Sequence, residues 1–358
     1  MRLTRRQLLA TTAAALTAPS AAEAFEPVWR LPAEDAPHIR TFMQWPVSRL
    51  VHPDPVFLQT LKQTIAQIAN TIADFEDVVM LMHPQHEATA RRQLSRRVEI
   101  WHVPTEDLWC RDSGPVFVNR TDSSGPQKQA VVSFNFNGWG NKQVHRDDGH
   151  VAERVAAELG LDLIDSGLTG ELGGVEWDGA NTLIAHESSW VNPNRNNLRR
   201  REITERLTAV LGHARLIWAP GLAGHDITDY HIDSLARFTR AGRVLINLPK
   251  SADPSDPFHR AAAETTRVCR NADLNVETIF EPEFRRVKSY DFVASYMNYY
   301  VCNGAVIAAE FGDRNADRAA VKALRRHYPG RQIVTLNVDA LGEVGGGIHC
   351  ATQQLPRA

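Results

Sequence analysis

The feature that most constrains the fold of this chain is a structural unit that recurs about every 60 residues. In each unit an amphipathic helix precedes a short β-rich run, and a polar residue then stands where a predicted hairpin begins. These polar residues are Asp112, Glu171, the His231/Asp233 pair, Asn298 and Cys350. Counted through Asp233, they lie 59, 62, 65 and 52 residues apart. Repeats of this length are typical of supersecondary units that pack around or along an axis.

Hydrophobic periodicity predicts the elements of these units. Helical patterns cover Pro55–Phe75, Pro84–Leu94, Asp148–Leu159, Asn196–Leu211, Asp256–Asn271 and Asp317–His327. Most of them are followed by a β-rich run, at Asp77–Met82, Val98–Val103, Ala214–Trp218, Asn275–Phe280 and Gln332–Leu336. Hairpins are predicted where a turn dipeptide joins two β-rich runs, at Asp178-Gly179, Ala241-Gly242 and Asn303-Gly304.

We therefore expect an α/β fold, a five-bladed pseudo-symmetric α/β propeller of ββαβ-type units around a central cavity. An open, doubly wound parallel sheet is disfavoured, because antiparallel hairpins recur in the units. Only one strand follows Cys350, so the early strand Arg40–Trp45 is expected to complete the last unit. No internal domain boundary is visible, and residues 25–358 are predicted to form a single domain.

The first 24 residues have the features of an export signal. Arg5-Arg6 precedes a mildly apolar stretch, Leu8–Ala22, and Ala22-Glu23-Ala24 offers a small-x-small cleavage site. Paired arginines with weak hydrophobicity are typical of a twin-arginine signal, which exports folded proteins. We interpret residues 1–24 as a twin-arginine-type signal peptide and expect a periplasmic or secreted protein; a frayed N-terminal helix is the alternative.

The composition disfavours several classes of partner. The chain has 40 Lys and Arg against 42 Asp and Glu, so it has no excess positive charge for nucleic-acid phosphates or an anionic membrane surface. It has no run of 18 apolar residues, so no membrane-spanning helix is expected. Four scattered cysteines do not form a disulfide framework or a zinc motif, although one disulfide after export is an open alternative. A homo-oligomer is also an open alternative.

The segment Gly345–Cys350 suggests a reactive thiol. Its glycines, among them Gly346 and Gly347, allow the backbone to approach a ligand closely, and Cys350 directly beyond them can present its sulfur there. A lone cysteine in a strand is more often an inert buried residue, so the flanking glycines carry this hypothesis.

The densest cluster of titratable groups is Gly224–Asp233. In a strand, His231 and Asp233 share one face, as a general base beside a carboxylate would. One alternative is a metal site formed by His225, Asp226, His231 and Asp233, which is disfavoured because no second cluster has ligand spacing. Another is a loop whose charges are merely solvated.

Three other segments supply candidate site residues. Asp112 stands close to Trp109 at the start of a predicted strand, although an Arg111–Asp112 pair that ties a turn is an equal alternative. Glu171 precedes a Gly-Gly pair, and its alternative role is that of a loop carboxylate. Asn298 has the alternative role of satisfying backbone groups at a strand end.

Together these motifs resemble those of the agmatine deiminase family. The resemblance is carried by Trp109–Pro115, Asn192–Asn196 (NPNRN), Asp226–Phe238 (DITDYHIDSLARF) and Gly345–Gln354 (GGGIHCATQQ). That family belongs to the guanidino-group-modifying enzymes and includes bacterial-type peptidylarginine deiminases. The resemblance extends over nearly the whole chain after the signal and implies a five-bladed α/β propeller.

The resemblance also implies roles for individual residues. Cys350 matches the nucleophile and His231 the acid/base, while Asp112 and Asp233 match the carboxylates that bind a guanidinium. Glu171 matches a site glutamate of the family if its Glu-x-Gly-Gly segment is aligned with that of the family.

Four residues beside these are expected to contribute to substrate binding: Trp109, Asn298, Gly346 and Gly347. The chain departs from the family pattern in two places. Many members have Gly where Tyr230 stands and Asn where Gly347 stands. Both departures bear on substrate detail rather than on the type of reaction.

The sequence thus predicts hydrolytic deimination of a small cationic guanidine through a Cys thiouronium intermediate, without a metal or an organic cofactor. Agmatine, giving N-carbamoylputrescine and ammonia, is the expected substrate. The export signal favours peptidylarginine or another extracellular guanidine as the alternative. An amidinotransferase and a polyamine-binding protein are remote alternatives.

Overall fold

The computed structural model of the chain describes residues 28–122, 128–289 and 292–358. The signal peptide predicted for residues 1–24 therefore lies outside the described residues. The strands in the described part are β1 (Trp29–Arg30), β2 (His38–Gln44), β3 (Asp77–Leu81), β4 (Val98–Trp101), β5 (Val116–Arg120), β6 (Gln129–Ser133), β7 (Asp162–Asp165), β8 (Val175–Trp177), β9 (Thr182–His186), β10 (Arg215–Ala219), β11 (Ala236–Arg240), β12 (Arg243–Leu248), β13 (Asn275–Phe280), β14 (Tyr300–Cys302), β15 (Ala305–Ala309), β16 (Gln332–Leu336) and β17 (Gln353–Pro356).

Long helices alternate with one-turn helices. The α-helices are α1 (Pro55–Ile72), α2 (Glu87–Ala90), α3 (Cys110–Ser113), α4 (Gly138–Asn141), α5 (Val151–Leu159), α6 (Glu187–Trp190), α7 (Arg200–Leu211), α8 (Pro257–Asn271), α9 (Arg314–His327) and α10 (Asp339–Glu343). Short 3₁₀ turns cover Pro84–His86, Asp148–His150, Leu172–Gly174 and Ile232–Ser234.

The strands form five small mixed sheets, so the α/β class predicted from the sequence is confirmed. The strand orders are β1-β5-β6-β7, β8-β9-β10, β11-β12-β13, β14-β15-β16 and β17-β2-β3-β4. In every sheet an antiparallel pair is followed by a parallel strand, and a helix connects the two parallel strands. These connecting helices are α5, α7, α8, α9 and α1, in the order of the sheets given above.

The last sheet joins the two ends of the described chain. Strand β17 pairs antiparallel with β2, with Gln353 opposite Phe42, and β2 pairs parallel with β3. The expectation that an early strand completes the last unit is therefore confirmed, although that strand is His38–Gln44 rather than Arg40–Trp45.

Local sequence signals explain where the connecting helices begin and end. Helices α1, α8 and α9 start after Asp54, Asp256 and Asp313, whose side chains accept hydrogen bonds from backbone N–H groups of the first turn. Helices α5 and α7 end at Gly160 and Gly212, where φ values of 63° and 69° favour glycine. The chain then continues into β7 after Gly160 and into β10 after Gly212.

The largest apolar cluster extends from α1 to the C-terminal turn. It contains Leu61 and Ile65 of α1 and Met80 of β3, and it reaches Trp109 and Cys350. The candidate sulfur therefore lies at the edge of a close-packed core, where neighbouring side chains have little freedom to move.

Several predicted elements differ from those observed. Pro84–Leu94 is a 3₁₀ turn followed by the one-turn helix α2, because only Ala90 and Leu94 of this segment are buried and a longer helix would gain little. The helix predicted from Asn196 begins at Arg200, since the Asn196 side chain bonds to the carbonyl groups of Thr169 and Trp190. The strands expected after Asp112 were predicted without bounds and are β5 and β6, whereas β1 and β7 were not predicted.

Two further expectations concern the chain as a whole. Over the part of the chain that the structure describes, no helix is long and apolar enough to cross a membrane. The four cysteines, all within that part, are buried and free, so the alternative of one disulfide is not realised there.

Replacement of Leu61 by Ala should destabilise the protein. Leu61 is completely buried on α1, and the cavity left behind costs about 3 kcal/mol. Val56 on the same helix is 73% exposed, so Val56→Ala should change the free energy of unfolding by less than about 0.5 kcal/mol. Urea unfolding followed by circular dichroism measures both, and equal effects would contradict the assignment of the buried face.

Candidate active site

The turn that precedes the first strand of each hairpin carries one of the predicted polar residues. These residues are Asp112 in α3, Glu171 before the 3₁₀ turn Leu172–Gly174, Asp233 in the 3₁₀ turn Ile232–Ser234, Asn298 before β14 and Cys350 before β17. Contacts between their side chains show that the five turns converge on one place.

Cys350 is held at this place by Asn298. The Asn298 Nδ2 group donates to Cys350 Sγ at 3.1 Å, and the Cys350 backbone N–H donates to Asn298 Oδ1 at 3.2 Å. Sγ also lies 3.4 Å from Oδ2 of Asp233. The thiol is thus oriented by an amide and faces a carboxylate.

His231 lies between two carboxylates. Its Nε2 is 3.2 Å from Glu171 Oε2, and its Nδ1 is 3.7 Å from Asp112 Oδ2. Burial lowers the pKa of His231, but the negative charge of Asp112 and the hydrogen bond and charge of Glu171 outweigh burial and raise it to about 9. The ring is therefore an imidazolium at neutral pH and can donate a proton.

Gly173 permits the approach of three of these groups. A Cβ atom at this position would lie 2.7 Å from Asp112 Oδ1, 2.7 Å from His231 Nδ1 and 3.3 Å from Asp233 Oδ2. Its backbone N–H also donates to Asp112 Oδ1 at 3.3 Å. A side chain here would separate the carboxylates from the imidazole.

The pKa values of the two aspartates are shifted in opposite directions. Burial, Glu171 and Asp233 raise the pKa of Asp112 to about 6, although His231 opposes them. Burial also raises the pKa of Asp233, but a hydrogen bond from His349 and the nearby cations hold it below the ordinary value. Within the described residues, Oδ1 of Asp233 is buried and has no hydrogen-bond partner.

These carboxylates also control the thiol. Burial and the charges of Asp233 and Asp112 raise the pKa of Cys350 well above its ordinary value, while the Asn298 N–H opposes them. In the protein alone the sulfur is therefore a neutral thiol. It becomes a thiolate only if positive charge enters the site.

Glu171 lies behind His231. One of its oxygens accepts from Arg195 Nε at 2.8 Å, and the other faces His231. Arg195 in turn donates to Asp229 Oδ2 at 3.0 Å. The substrate contact expected of Glu171 stays a prediction, whereas its contact with the imidazole is direct.

The glycine turn before Cys350 packs closely against its neighbours. A Cβ on Gly346 would lie 2.6 Å from the Trp109 ring and 3.3 Å from Sγ of Cys350. A Cβ on Gly347 would lie 2.7 Å from Asn298 Oδ1. The departure at Gly347 therefore fits this chain, since an asparagine there would collide with Asn298.

The prediction that His231 and Asp233 share a strand face is wrong. They flank Ile232 in a 3₁₀ turn, which follows Asp229 and Tyr230 in left-handed conformation with φ of 60° and 69°. The Asp226 carboxylate accepts from the Tyr230 backbone N–H at 3.0 Å, and this bond closes a turn that a strand could not contain. Cys350 likewise lies in a turn, because β17 begins only at Gln353.

Tyr230, the other departure from the family pattern, points its bulk towards a neighbouring helix. Its ring stacks on His186 with the ring centres 4.9 Å apart and meets Phe258 of α8 edge-on at 5.2 Å. The bulk of the Tyr230 side chain is thus accommodated by packing.

The structure does not support a metal site around Asp226. Among the described residues, the one group of three possible ligands within 4.8 Å of one another is Glu34, Glu176 and His349. Arg237 pairs with both carboxylates of this group, with Nε 2.7 Å from Glu176 Oε1 and Nη2 bonded to Glu34. A guanidinium already supplies the positive charge there, so these residues are poorly suited to a cation.

Sequence reasoning missed three residues that contact the candidates. Trp139 donates from Nε1 to Asp112 Oδ2 at 3.0 Å, from a turn in which its φ is 55° and that of Gly140 is 85°. Arg195 lies in the quoted NPNRN motif, and His349 in the quoted GGGIHC motif. Both motifs were recognised in the sequence, but the spacing of residues predicted no contact for Arg195 or His349.

The chain is similar to known proteins over most of its length. The sequence profile of the Porphyromonas-type peptidyl-arginine deiminase family matches residues 30–356. The chain belongs to this family. It is 34% identical to a "Putative agmatine deiminase" of Streptomyces coelicolor, over 92% of this chain and 99% of that protein. A protein of Selenomonas ruminantium with the same name is 30% identical over 91% and 95%.

A solved structure is similar to the fold as a whole. The agmatine deiminase of Enterococcus faecalis superposes with a TM-score of 0.81 at 25% identity, over 92% of this chain and 96% of that one. The five-sheet arrangement of the chain is therefore that of a deiminase.

Glu171→Gln should lower the pKa of His231. Removing one of the two carboxylates leaves burial less opposed, so the value should fall from about 9 by about one unit or more. NMR titration of the histidine ring signals measures it, with His231→Asn identifying the signal. Glu202→Gln, which removes an exposed partner of Arg199, is the control. An unchanged His231 titration in Glu171→Gln would show that the contact is unimportant.

Proposed function

We propose that this protein is a hydrolase that converts agmatine to N-carbamoylputrescine and ammonia. The observation that carries the proposal is the convergence of a thiol, an imidazolium and two carboxylates from separate units, at Cys350, His231, Asp112 and Asp233. The substrate is supported by relatives named as agmatine deiminases that match more than 90% of the chain.

The carboxylates suit a guanidinium. This group is planar and cationic, and its N–H donors pair with carboxylate oxygens in a fork. The buried Oδ1 of Asp233 lacks a donor within the described protein, and a guanidinium N–H supplies one. With Asp112 on the other side of Gly173, the two carboxylates fix the plane of the group.

Binding of the cation activates the nucleophile. The two carboxylate charges that keep Cys350 protonated are neutralised when the guanidinium pairs with them. The proton of the Cys350 thiol then leaves the site as the cationic guanidinium enters. The net charge of the site is therefore unchanged. Thiolate forms only where it can attack, which protects the sulfur from other electrophiles.

The remaining steps need one proton donor and acceptor. Cys350 thiolate attacks the central carbon, and the His231 imidazolium gives its proton to the departing amino group, which leaves as ammonia. The resulting S-alkylthiouronium is attacked by water, whose proton returns to the now neutral His231. Collapse of that adduct breaks the C–S bond, its hydroxyl proton passes to the departing sulfur, and the ureido product and the Cys350 thiol are released.

Depth of burial favours a small substrate. Cys350 is 8% exposed, Asp112 7% and His231 4%. A flexible guanidinoalkylamine can enter such a site end-on, whereas an arginine within a folded protein would have to bring its backbone close to the surface around it. Peptidylarginine is therefore the alternative that the substrate test must address.

The fold proposal follows from the same turns. We propose that the five sheets are the blades of an α/β propeller whose axis passes through the site. It is supported by the contacts among the turns that begin the five hairpins and by the pairing of β17 with β2 across the ends of the chain.

Export is a further proposal. Residues 1–24 would direct the folded enzyme across the membrane by the twin-arginine route. Fractionation of cells expressing the full chain and an Arg5→Lys/Arg6→Lys variant tests this, because only the former should reach the periplasm or medium.

Cys350→Ala should abolish ammonia release from agmatine while leaving the fold intact. The control is Cys269→Ala, which removes another buried thiol, in an apolar cluster that does not include Cys350, and should retain activity. The wild-type protein should show a much higher kcat/KM for agmatine than for an arginine-containing peptide. Equal ureido formation by Cys350→Ala, or a preference for the peptide, would overturn the corresponding part of the proposal.

A cationic alkylating agent should modify Cys350 faster than its neutral analogue. At pH 7, 2-chloroacetamidine should react at least about tenfold faster than 2-chloroacetamide, since only the cation offsets Asp112 and Asp233 and lowers the thiol pKa. Mass spectrometry of the modified peptide gives both rates, and free cysteine in solution provides the reference ratio. The same ratio in the protein and in solution would exclude activation by the bound cation.

A further inference from the structure

His349 is the neighbour of the nucleophile in the chain, and the steps above give it no part. Its ring is completely buried. Nδ1 lies 2.7 Å from Asp233 Oδ2, and Nε2 lies 3.2 Å from the Glu34 carboxylate. Because an ionised carboxylate can only accept hydrogen bonds, the short contact requires that Nδ1 carry a hydrogen and donate it to Asp233.

The two oxygens of Asp233 are in different surroundings. Oδ2 accepts from His349 and faces the sulfur of Cys350 at 3.4 Å. Oδ1 is buried without a partner within the described residues. A buried oxygen without a donor is costly, so the bond at Oδ2 decides which oxygen remains available to a ligand.

We propose that His349 is a positioning residue for deimination. It fixes the rotation of the Asp233 carboxylate so that Oδ2 is held beside the sulfur and Oδ1 is left for the guanidinium. This inference rests on the proposed function and adds to it the residue that orients one half of the guanidinium fork.

A second layer of buried charge keeps His349 in place. Arg237 donates to Glu34 from Nη2, and Arg111 Nη2 lies 3.8 Å from Glu34 Oε1. Arg237 is itself paired with Glu176 at 2.7 Å. The imidazole cannot rotate without losing both carboxylates, and Glu34 cannot follow it without losing its own contacts with the two arginines.

The charged and titratable groups that face Asp233 come from three sides. His349 and Cys350 belong to the last turn, His231 and Arg237 flank Asp233 in its own turn and in β11, and Asp112 lies across Gly173. Of these, His349 donates the shortest bond to the carboxylate. Its loss would favour the protonated form of Asp233, which binds a cation poorly.

Two amide variants separate this role from simple packing. In His349→Asn the amide nitrogen takes the place of Nδ1 and can still donate to Asp233, whereas in His349→Gln it takes the place of Nε2 and faces Glu34. We expect kcat/KM for agmatine to stay within about threefold of wild type in His349→Asn. In His349→Gln it should fall about 10- to 100-fold, the loss of one hydrogen bond to a charged group. The fall should lie mainly in KM, and the acid limb of the pH profile should move to higher pH.

A purely structural role predicts the opposite order, because Asn removes more volume from the buried position than Gln does. Activity lost more in His349→Asn than in His349→Gln, with an unmoved acid limb, would therefore overturn the inference. Calorimetric binding of agmatine to each variant in a Cys350→Ala background should follow the same order as KM. Wild-type protein that releases ammonia from no guanidine would overturn the proposed function itself, and with it this inference, by a separate observation.

A measurement on the unmodified protein covers the case in which neither variant folds. The ¹⁵N shift of His349 Nδ1 should be that of a protonated nitrogen between pH 6 and 8. An unprotonated Nδ1 in that range would overturn the proposal without any substitution in the site.

Discussion

The structure depends on holding several carboxyl groups out of water at one point. Asp233 and Glu171 are almost completely buried, and Asp112 nearly so, within one group of contacts. Burying charge is tolerable only where each group finds a partner, and the partners here are drawn from different units. His231 pairs with Asp112 and Glu171, while Arg195 supports Glu171 from behind. The contacts that form the site therefore also hold the five units together.

In the proposed mechanism, a buried cysteine becomes reactive only when its substrate is bound. The carboxylates proposed to bind the guanidinium are the same groups that raise the pKa of the thiol without it. Recognition and activation therefore use one set of charges. Asn298, which bonds to both the sulfur and the backbone of Cys350, fixes the distance over which that charge acts.

Much of this could be predicted from the sequence, and the limits have physical causes. The spacing of five polar positions predicted five units: Asp112, Glu171, Asp233, Asn298 and Cys350. The periodicity predicted the start of α1 at Pro55, because such patterns depend on local chemistry. The turn at His231 was misassigned because hydrophobic periodicity does not report the left-handed conformation of Asp229 and Tyr230 or the bond from the Tyr230 N–H to Asp226 that closes the turn.

The residues that support the site could not be predicted because their partners are distant in the sequence. Trp139, Arg195 and Glu34 meet their partners across 27, 24 and 203 or more positions of the chain, and each could equally have paired elsewhere. Which partner each residue meets depends on which faces of the sheets pack against one another. A single sequence contains that information only through the completed fold.

The pairing of β17 with β2 has a consequence for how the site is assembled. Cys350 lies in the turn that leads into β17, and β17 is held by β2, with Gln353 opposite Phe42. The sulfur therefore reaches its place only after two strands that are far apart in the sequence have paired, and such non-local pairing is a slow step of folding. A substitution that weakens β2 would loosen the nucleophile without contacting it.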